Sequence, residues 1–119
     1  MDRAHRLARD QEKVTARAHA GRVTPGSGSG AFDKNDVTNA EWSFEVKTTT
    51  QKGYRLTLET WIATENNALE KGLRPAMIIV FVTPAGRTKR LVVLDEDDYI
   101  EKIEYGTQAQ TGGPGLGTG

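Results

Sequence analysis

Residues 76–82 read AMIIVFV, an unbroken apolar run in which Ile78, Ile79, Val80 and Val82 are β-branched. A strand of this composition is typical of the inside of a sheet that is covered on both faces. A turn sequence, TPAG at 83–86, and a second apolar segment, RLVVLD at 90–95, follow it. We therefore predict that 76–82 is a fully buried strand and that 90–95 is the next strand, paired with it.

The segment before this strand has the spacing of a helix. Its apolar positions recur every three or four residues, and its end is marked by Gly72, shortly before Pro75. Glu65 is the acid within the apolar stripe, so it is either an edge position or an acid that supports Lys47. The predicted stripe is Leu58, Trp61, Ile62, Glu65 and Leu69.

The first twenty residues also follow a helical pattern, from Met1 to about Ala20, with Gly21 as the C-terminal cap. Glu12 lies at the edge of its apolar stripe, and the opposite side of the helix is basic. The predicted buried stripe is Ala4, Leu7, Gln11, Val14 and Ala18, and the predicted basic face is Arg6, Arg9, Lys13 and Arg17.

Between the two helices the sequence predicts a loop and then strands. Residues 22–32 are rich in Gly, Ser and Pro and are predicted to form a loop. Strand character begins at 36–37, a turn falls at 39–40, and residues 42–47 alternate between apolar and polar. In this alternation Trp42, Phe44 and Val46 share one face, whereas Glu45 and Lys47 share the other. A short third strand is predicted at 54–57.

The predicted element order is therefore α-β-β-β-α-β-β, followed by a short acidic helix near 95–103. This order predicts an α/β fold with a mixed central sheet flanked by helices. Residues 1–105 are predicted to form a single domain, and residues 106–119, which contain six of the 13 glycines, a disordered tail.

Composition restricts the classes of function. The 119 residues include no Cys, which excludes disulfides and thiolate metal sites, and the two His residues, His5 and His19, are both predicted to be surface residues without a catalytic role. No apolar run is long enough for a membrane span, so we expect a soluble, cytoplasmic protein without a membrane partner. The net charge of zero conceals a basic end, since residues 1–25 contain six Lys or Arg against three acids.

Three polar residues are predicted to converge near the turn at 39–40. If the strands that carry Asp36 and Glu45 are neighbours, their carboxylates meet, and Lys47 points into the same space. Carboxylate oxygens are hard ligands suited to Mg²⁺, and a lysine beside them suits phosphodiester hydrolysis. Each residue also has a simpler interpretation, because Glu45 and Lys47 match a solvated surface pair, Asp36 matches a turn former, and Glu12 matches a surface ion-pair partner.

Taken in order, Glu12, the segment PGSGSGAFDKND ending at Asp36, and EVK at 45–47 resemble the PD-(D/E)XK nuclease superfamily. Within it, the chain is similar to the small Holliday junction resolvases of archaea and bacteriophages. The resemblance spans about residues 9–95 and implies a restriction-endonuclease-like core. Asn35 departs from the motif, which has Pro at this position.

The resemblance implies a metal-dependent endonuclease that hydrolyses phosphodiester bonds in four-way DNA junctions and acts as a homodimer, in the host cytoplasm if phage-encoded. Glu12, Asp36, Glu45 and Lys47 would form the active centre with Mg²⁺ or Mn²⁺, and the carbonyl of Val46 would also bind metal. The dimer contact is predicted near Trp61. The residues predicted to contact DNA are Arg9, Lys13, Arg22, Ser27, Ser29, Lys34, Lys52, Tyr54 and Arg55, with Arg3, Arg6 and Arg17 as further cations.

Two alternatives remain open at the level of sequence. The first is a nicking or repair endonuclease of the same superfamily that acts on flaps or duplex DNA. The second is a DNA-binding module of the same fold that does not cleave. Comparing cleavage of a four-way junction with cleavage of a matched duplex tests the first alternative. Mg²⁺-dependent cleavage that Asp36→Asn abolishes without loss of junction binding excludes the second.

Overall fold

The structure, a computed structural model, describes residues 3–25 and 35–106. Two predictions therefore fall wholly or partly outside the described residues: residues 26–32 of the loop predicted at 22–32 and, apart from Gly106, the tail. The elements are α1 (Arg3–Ala18), β1 (Arg22–Pro25), β2 (Asn35–Thr38), β3 (Trp42–Thr49), α2 (Leu58–Glu70), β4 (Arg74–Val82), β5 (Thr88–Leu94), α3 (Glu96–Asp98) and a π-helical turn (Tyr99–Glu104). No helix in the described ranges has the length and apolarity that crossing a bilayer requires.

The five strands form one sheet in the order β1-β2-β3-β4-β5. β3 and β4 are parallel, and every other neighbouring pair is antiparallel. Helix α2 connects the parallel pair, as a parallel crossover requires. The predicted α/β fold with a mixed sheet flanked by helices is confirmed.

The sheet is covered by α1 on one face and by α2 on the other. Val37, Phe44, Ala76, Ile78, Val80 and Val82 form the core on the α1 face, where Ala16 of α1 packs against them. Because side chains alternate along a strand, Met77 and Ile79 point to the other face, and both are buried there. Helix α2 packs against β4 and β3 on that face and buries its own Thr64 and Ala68. The prediction that 76–82 is buried on both faces is confirmed.

The end of α1 differs from the prediction in one respect. The residue with positive φ is Ala20, at 53°, so it occupies the left-handed position that was assigned to Gly21. Gly21 has a different role, because a Cβ at this position would lie 2.5 Å from the carbonyl oxygen of Thr38. Glycine is therefore required where the chain leaves α1 and passes against β2.

Two strand predictions were wrong, but the number of strands before α2 is the predicted one. Residues 22–25, predicted as loop, form β1 and pair with β2, so Pro25 lies at the end of an edge strand. Residues 54–57, predicted as a strand, have no regular structure, and Thr57 is the N-cap of α2, where its hydroxyl accepts from the amide of Thr60 at 3.1 Å. Three strands still precede α2, so the predicted element order is correct.

Helix α2 has the predicted extent, and most of its predicted apolar stripe lies on its outer side. The side chains of Leu58, Ile62 and Leu69 are 73%, 43% and 68% exposed. The small residues Thr64 and Ala68 are buried instead. Close approach to a sheet favours small side chains, and the apolar stripe is therefore left on the outside of α2.

Candidate active site at a fork in the sheet

A two-residue hairpin places β2 beside β3, and Asn39 fixes its geometry. The amide of Asn39 donates to the carbonyl oxygen of Trp42 at 3.0 Å. The Oδ1 atom of Asn39 accepts from the amides of Glu41 at 2.9 Å and Trp42 at 2.8 Å. This is the local hydrogen bonding for which Asn is favoured in turns, and it confirms the turn predicted at 39–40.

Beyond this hairpin the sheet divides between β2 and β3. The two strands pair at Val37–Phe44 and at Thr38–Ser43. The next residues pair on opposite sides, Asp36 with Thr24 of β1 and Glu45 with Met77 of β4. We call this opening, with Asp36 on one strand and residues 45–47 on the other, the fork.

Glu45 and Lys47 lie together on the β3 side of the fork. The Nζ atom of Lys47 is 3.4 Å from Oε2 of Glu45, and the side chains are 31% and 17% exposed, respectively. Both point to the α2 face of the sheet, since Phe44 and Val46 occupy the α1 face. A ligand can therefore reach the Glu45 and Lys47 side chains, and the strand that carries them is paired with the buried strand β4.

The hairpin register also orients the main chain of Val46. The carbonyl of Trp42 faces β2, where it accepts from Asn39, and in an antiparallel pair every second residue has this orientation. The carbonyls of Phe44 and Val46 therefore also face the β2 side. Because β2 and β3 no longer pair at this level, the Val46 carbonyl is directed into the fork.

The donor chemistry at the fork fits a hard divalent cation. The Glu45 carboxylate and the Val46 carbonyl supply oxygen atoms, and Asp36 lies one register step beyond the Val37–Phe44 pair. The described side chains include no group of three or more His, Asp or Glu positioned to hold a metal. The side chain of Asp36 lies outside what is described, so its convergence with Glu45 stays a prediction at the level of side chains.

Glu12 is on the other side of the sheet from this pair. Helix α1 packs on the Phe44 face, where Ala16 contacts the core and the ring of His19 lies 4.4 Å from that of Phe44. The structure therefore brings Glu45 and Lys47 together but places the helix that carries Glu12 over the opposite face. The assignment of Glu12 to the active centre stays a prediction.

The predicted DNA-contacting residues are divided among several surfaces. Lys52, Tyr54 and Arg55 lie in the connection between β3 and α2, which begins three residues after Lys47; Tyr54 is half-buried and the two cations are exposed. Arg9 and Lys13 are exposed on α1, and Arg22 is exposed at the start of β1. Ser27, Ser29 and Lys34 lie outside the described residues.

Two remaining sequence predictions concern Glu65 and Trp61 of α2. Both side chains are half-buried, on the helix that covers the Glu45 face of the sheet. Support of Lys47 by Glu65 and a dimer contact at Trp61 both stay predictions.

One residue that sequence reasoning overlooked anchors α1. Arg90 of β5 donates to Oε1 of Gln11 and to Oγ1 of Thr15, and the Thr15 side chain is fully buried. Arg90 pairs with Val80, so it lies on the core face of β5. A signal was present in the sequence, because a cation at a core-facing position of an apolar strand requires a polar partner.

His19 is also not the surface residue that was predicted. Its carbonyl accepts from Nδ2 of Asn39 at 3.0 Å, and its ring packs on Phe44. Burial, and then the nearby positive charge of Arg90, lower the pKa of His19 from its ordinary value. The neutral ring is a packing element between α1 and the hairpin.

No protein-family profile matches the chain, and no curated protein matches it significantly.

Proposed function

We propose that this protein is a metal-dependent DNA endonuclease that hydrolyses phosphodiester bonds in four-way junctions. The observation that carries the proposal is the fork, with a partly exposed Glu45–Lys47 pair on β3 and Asp36 on the strand that separates from it. This order of residues on two neighbouring strands agrees with the resemblance to the PD-(D/E)XK nucleases.

Asp36, Glu45 and the Val46 carbonyl would hold Mg²⁺ or Mn²⁺. When bound, such an ion lowers the pKa of a coordinated water and neutralises charge on the phosphate. Glu45 lies within ion-pair distance of the ammonium of Lys47, and Lys47 would orient the attacking water or stabilise negative charge that develops on the phosphate. Glu12 enters the proposal only through the resemblance, and loss of cleavage in Glu12→Gln with retained DNA binding would assign it to the site.

Branched DNA is the proposed substrate because the resemblance to the junction resolvases implies it, and the cations near the fork can contact its phosphates. Lys52 and Arg55 are exposed in the connection that follows β3, and contacts of this kind fix a protein on the backbone without reading sequence. Recognition would then depend on the shape of the nucleic acid.

Paired cuts across a junction require two active sites, and a two-fold dimer supplies them. Helix α2 is the proposed contact between copies, since the exposed side chains of Leu58, Ile62 and Leu69 form an apolar stripe along it. Sedimentation velocity of the wild type and of Leu69→Glu tests this contact. A dimer that becomes a monomer in the variant supports it, and an unchanged sedimentation coefficient contradicts it.

The function is tested by incubating the full chain with a labelled four-way junction and with a duplex of matching sequence, with Mg²⁺ or with EDTA. Mg²⁺-dependent, symmetric cleavage of the junction alone is the expected result. Equal cleavage of both substrates would assign a nicking or repair nuclease instead. Binding without cleavage in Mg²⁺ and in Mn²⁺ would leave a non-cleaving DNA-binding module.

A further inference from the structure

The outer side of α1 is a basic surface that faces away from the fork. At about 100° per residue, Arg3, Arg6, Arg9, Lys13 and Arg17 fall within an arc of about 120°, on the side opposite Thr15. All five side chains are exposed, and the exposed acid Asp10 shares the arc with them, whereas Thr15 is fully buried against the sheet. We call these five cations and Asp10 the α1 basic face.

The geometry of the fold separates this face from Glu45 and Lys47. Helix α1 lies on the Phe44 face of the sheet, and the fork pair points to the α2 face. A sheet and a packed helix therefore lie between the two surfaces, at a spacing of about 10 Å for each layer. A straight duplex seated on Glu45 and Lys47 cannot also lie along the α1 basic face.

We infer that the α1 basic face binds a second segment of duplex nucleic acid, separate from the one at the fork. Arg6 to Arg17 extend over about 16 Å of helix axis, a length over which duplex DNA presents about ten phosphates at one per 1.7 Å. The cations can therefore contact phosphates of a duplex along the whole stretch from Arg6 to Arg17. The inference rests on the proposed function, in that the second segment would be another arm of the junction.

A membrane surface fits the same face less well. A basic amphipathic helix binds a bilayer by inserting its apolar side beneath the headgroups. In α1 that side is occupied, because Ala16 packs on the core and Thr15 and Gln11 bond to Arg90. What α1 offers to a partner is charge alone, which a phosphate backbone satisfies.

The number of duplexes bound per chain tests the inference. A labelled duplex of about 16 base pairs, which covers the length of α1, is titrated in EDTA at protein concentrations above the dissociation constant. The test variant is Arg6→Glu/Arg17→Glu, and the control is Arg87→Glu/Lys89→Glu, which makes the same change in net charge at exposed positions near the β4–β5 turn. We expect two duplexes per chain for wild type and control, and one for the α1 variant.

Two duplexes per chain in the α1 variant, or one in the wild type, would overturn the inference. If far-UV circular dichroism shows that the charge reversals unfold α1, Arg6→Gln/Arg17→Gln replaces that variant. The slope of log affinity against log salt should then be shallower by about 1.8, and an unchanged slope would overturn the inference. Binding to phosphatidylserine vesicles that requires Arg6 and Arg17, with one duplex per chain, would assign the face to a membrane.

These measurements contain no metal and require no cleavage. If the protein binds two duplexes but does not cleave the junction, only the proposed function is refuted. If it cleaves the junction but binds one duplex, only this inference is refuted.

Discussion

Replacing Gly21 with alanine should destabilise the protein, because no space exists for the added methyl group. The new Cβ would lie 2.5 Å from the carbonyl oxygen of Thr38, 3.1 Å from its carbonyl carbon and 3.3 Å from Cγ1 of Val37. Favourable contacts between heavy atoms occur at about 3.5 to 4 Å, so the chain after α1 must move by about 1 Å from β2. Val37 is fully buried, and such movement disturbs the core.

Overpacking of this kind costs about 1 to 3 kcal/mol. For a domain of about 100 residues, each kcal/mol lowers the thermal midpoint by about 4 to 8 °C, so we expect a decrease of about 4 to 24 °C. The assay is thermal unfolding followed by far-UV circular dichroism. Gly53→Ala is the matched control, because its Cβ would meet no atom within 4 Å, and we expect its midpoint to be unchanged or slightly raised. Equal midpoints for the two variants would refute the close packing of Gly21 on β2.

Three further predictions concern the packing of α1, a histidine and the C-terminal helical segment. Arg90→Gln removes the donor to Gln11 and Thr15, so chemical denaturation should show a loss of about 1 to 3 kcal/mol, whereas the exposed control Lys89→Gln should lose none. Because the pKa of His19 is lowered in the folded protein, the unfolded chain binds a proton at higher pH, so the free energy of unfolding should decrease as the pH drops below 6.5. His19→Gln should make this decrease smaller, and equal slopes against pH for both proteins would contradict the prediction. Arg74 binds Asp98 at 2.5 Å and also Glu101, so Arg74→Gln should accelerate amide exchange in residues 95–106, while unchanged exchange there would refute this anchoring role.

Much of the fold could be predicted from the sequence because its elements have strong periodicity. The apolar run at 76–82, the alternation at 42–47 and the turn at 39–40 each predicted the observed local structure. The strand at 22–25 could not be predicted in this way, since four residues are too short for a pattern and the segment becomes a strand only by pairing with β2. The apolar stripe on α2 was predicted, but its exposure was not, because helical periodicity identifies an apolar face without showing what covers it.

The candidate site was predicted in part. Alternation along β3 places Glu45 and Lys47 on one face, and the hairpin carries Asp36 on the strand next to β3, one residue beyond the Val37–Phe44 pair. The separation of β2 from β3 could not be read from the sequence, because it depends on which neighbour each strand pairs with beyond Val37 and Phe44. The face of the sheet that α1 covers could not be predicted either. The sequence therefore did not show that the helix carrying Glu12 covers the face opposite to the Glu45 and Lys47 side chains.

The central claim is that Asp36, Glu45 and Lys47 at the fork carry out metal-dependent phosphodiester hydrolysis. Its most direct test is the single-turnover rate of junction cleavage in Mg²⁺ for Asp36→Asn, Glu45→Gln and Lys47→Gln, with junction binding and thermal stability measured alongside. The controls are Glu59→Gln and Lys89→Gln, which change the same chemical groups at exposed positions outside the fork. The three fork variants should bind the junction but lose cleavage by at least about 100-fold, and the thermal stability measured alongside identifies any loss that is due to unfolding. Cleavage at the wild-type rate by folded Glu45→Gln and Lys47→Gln would contradict the claim.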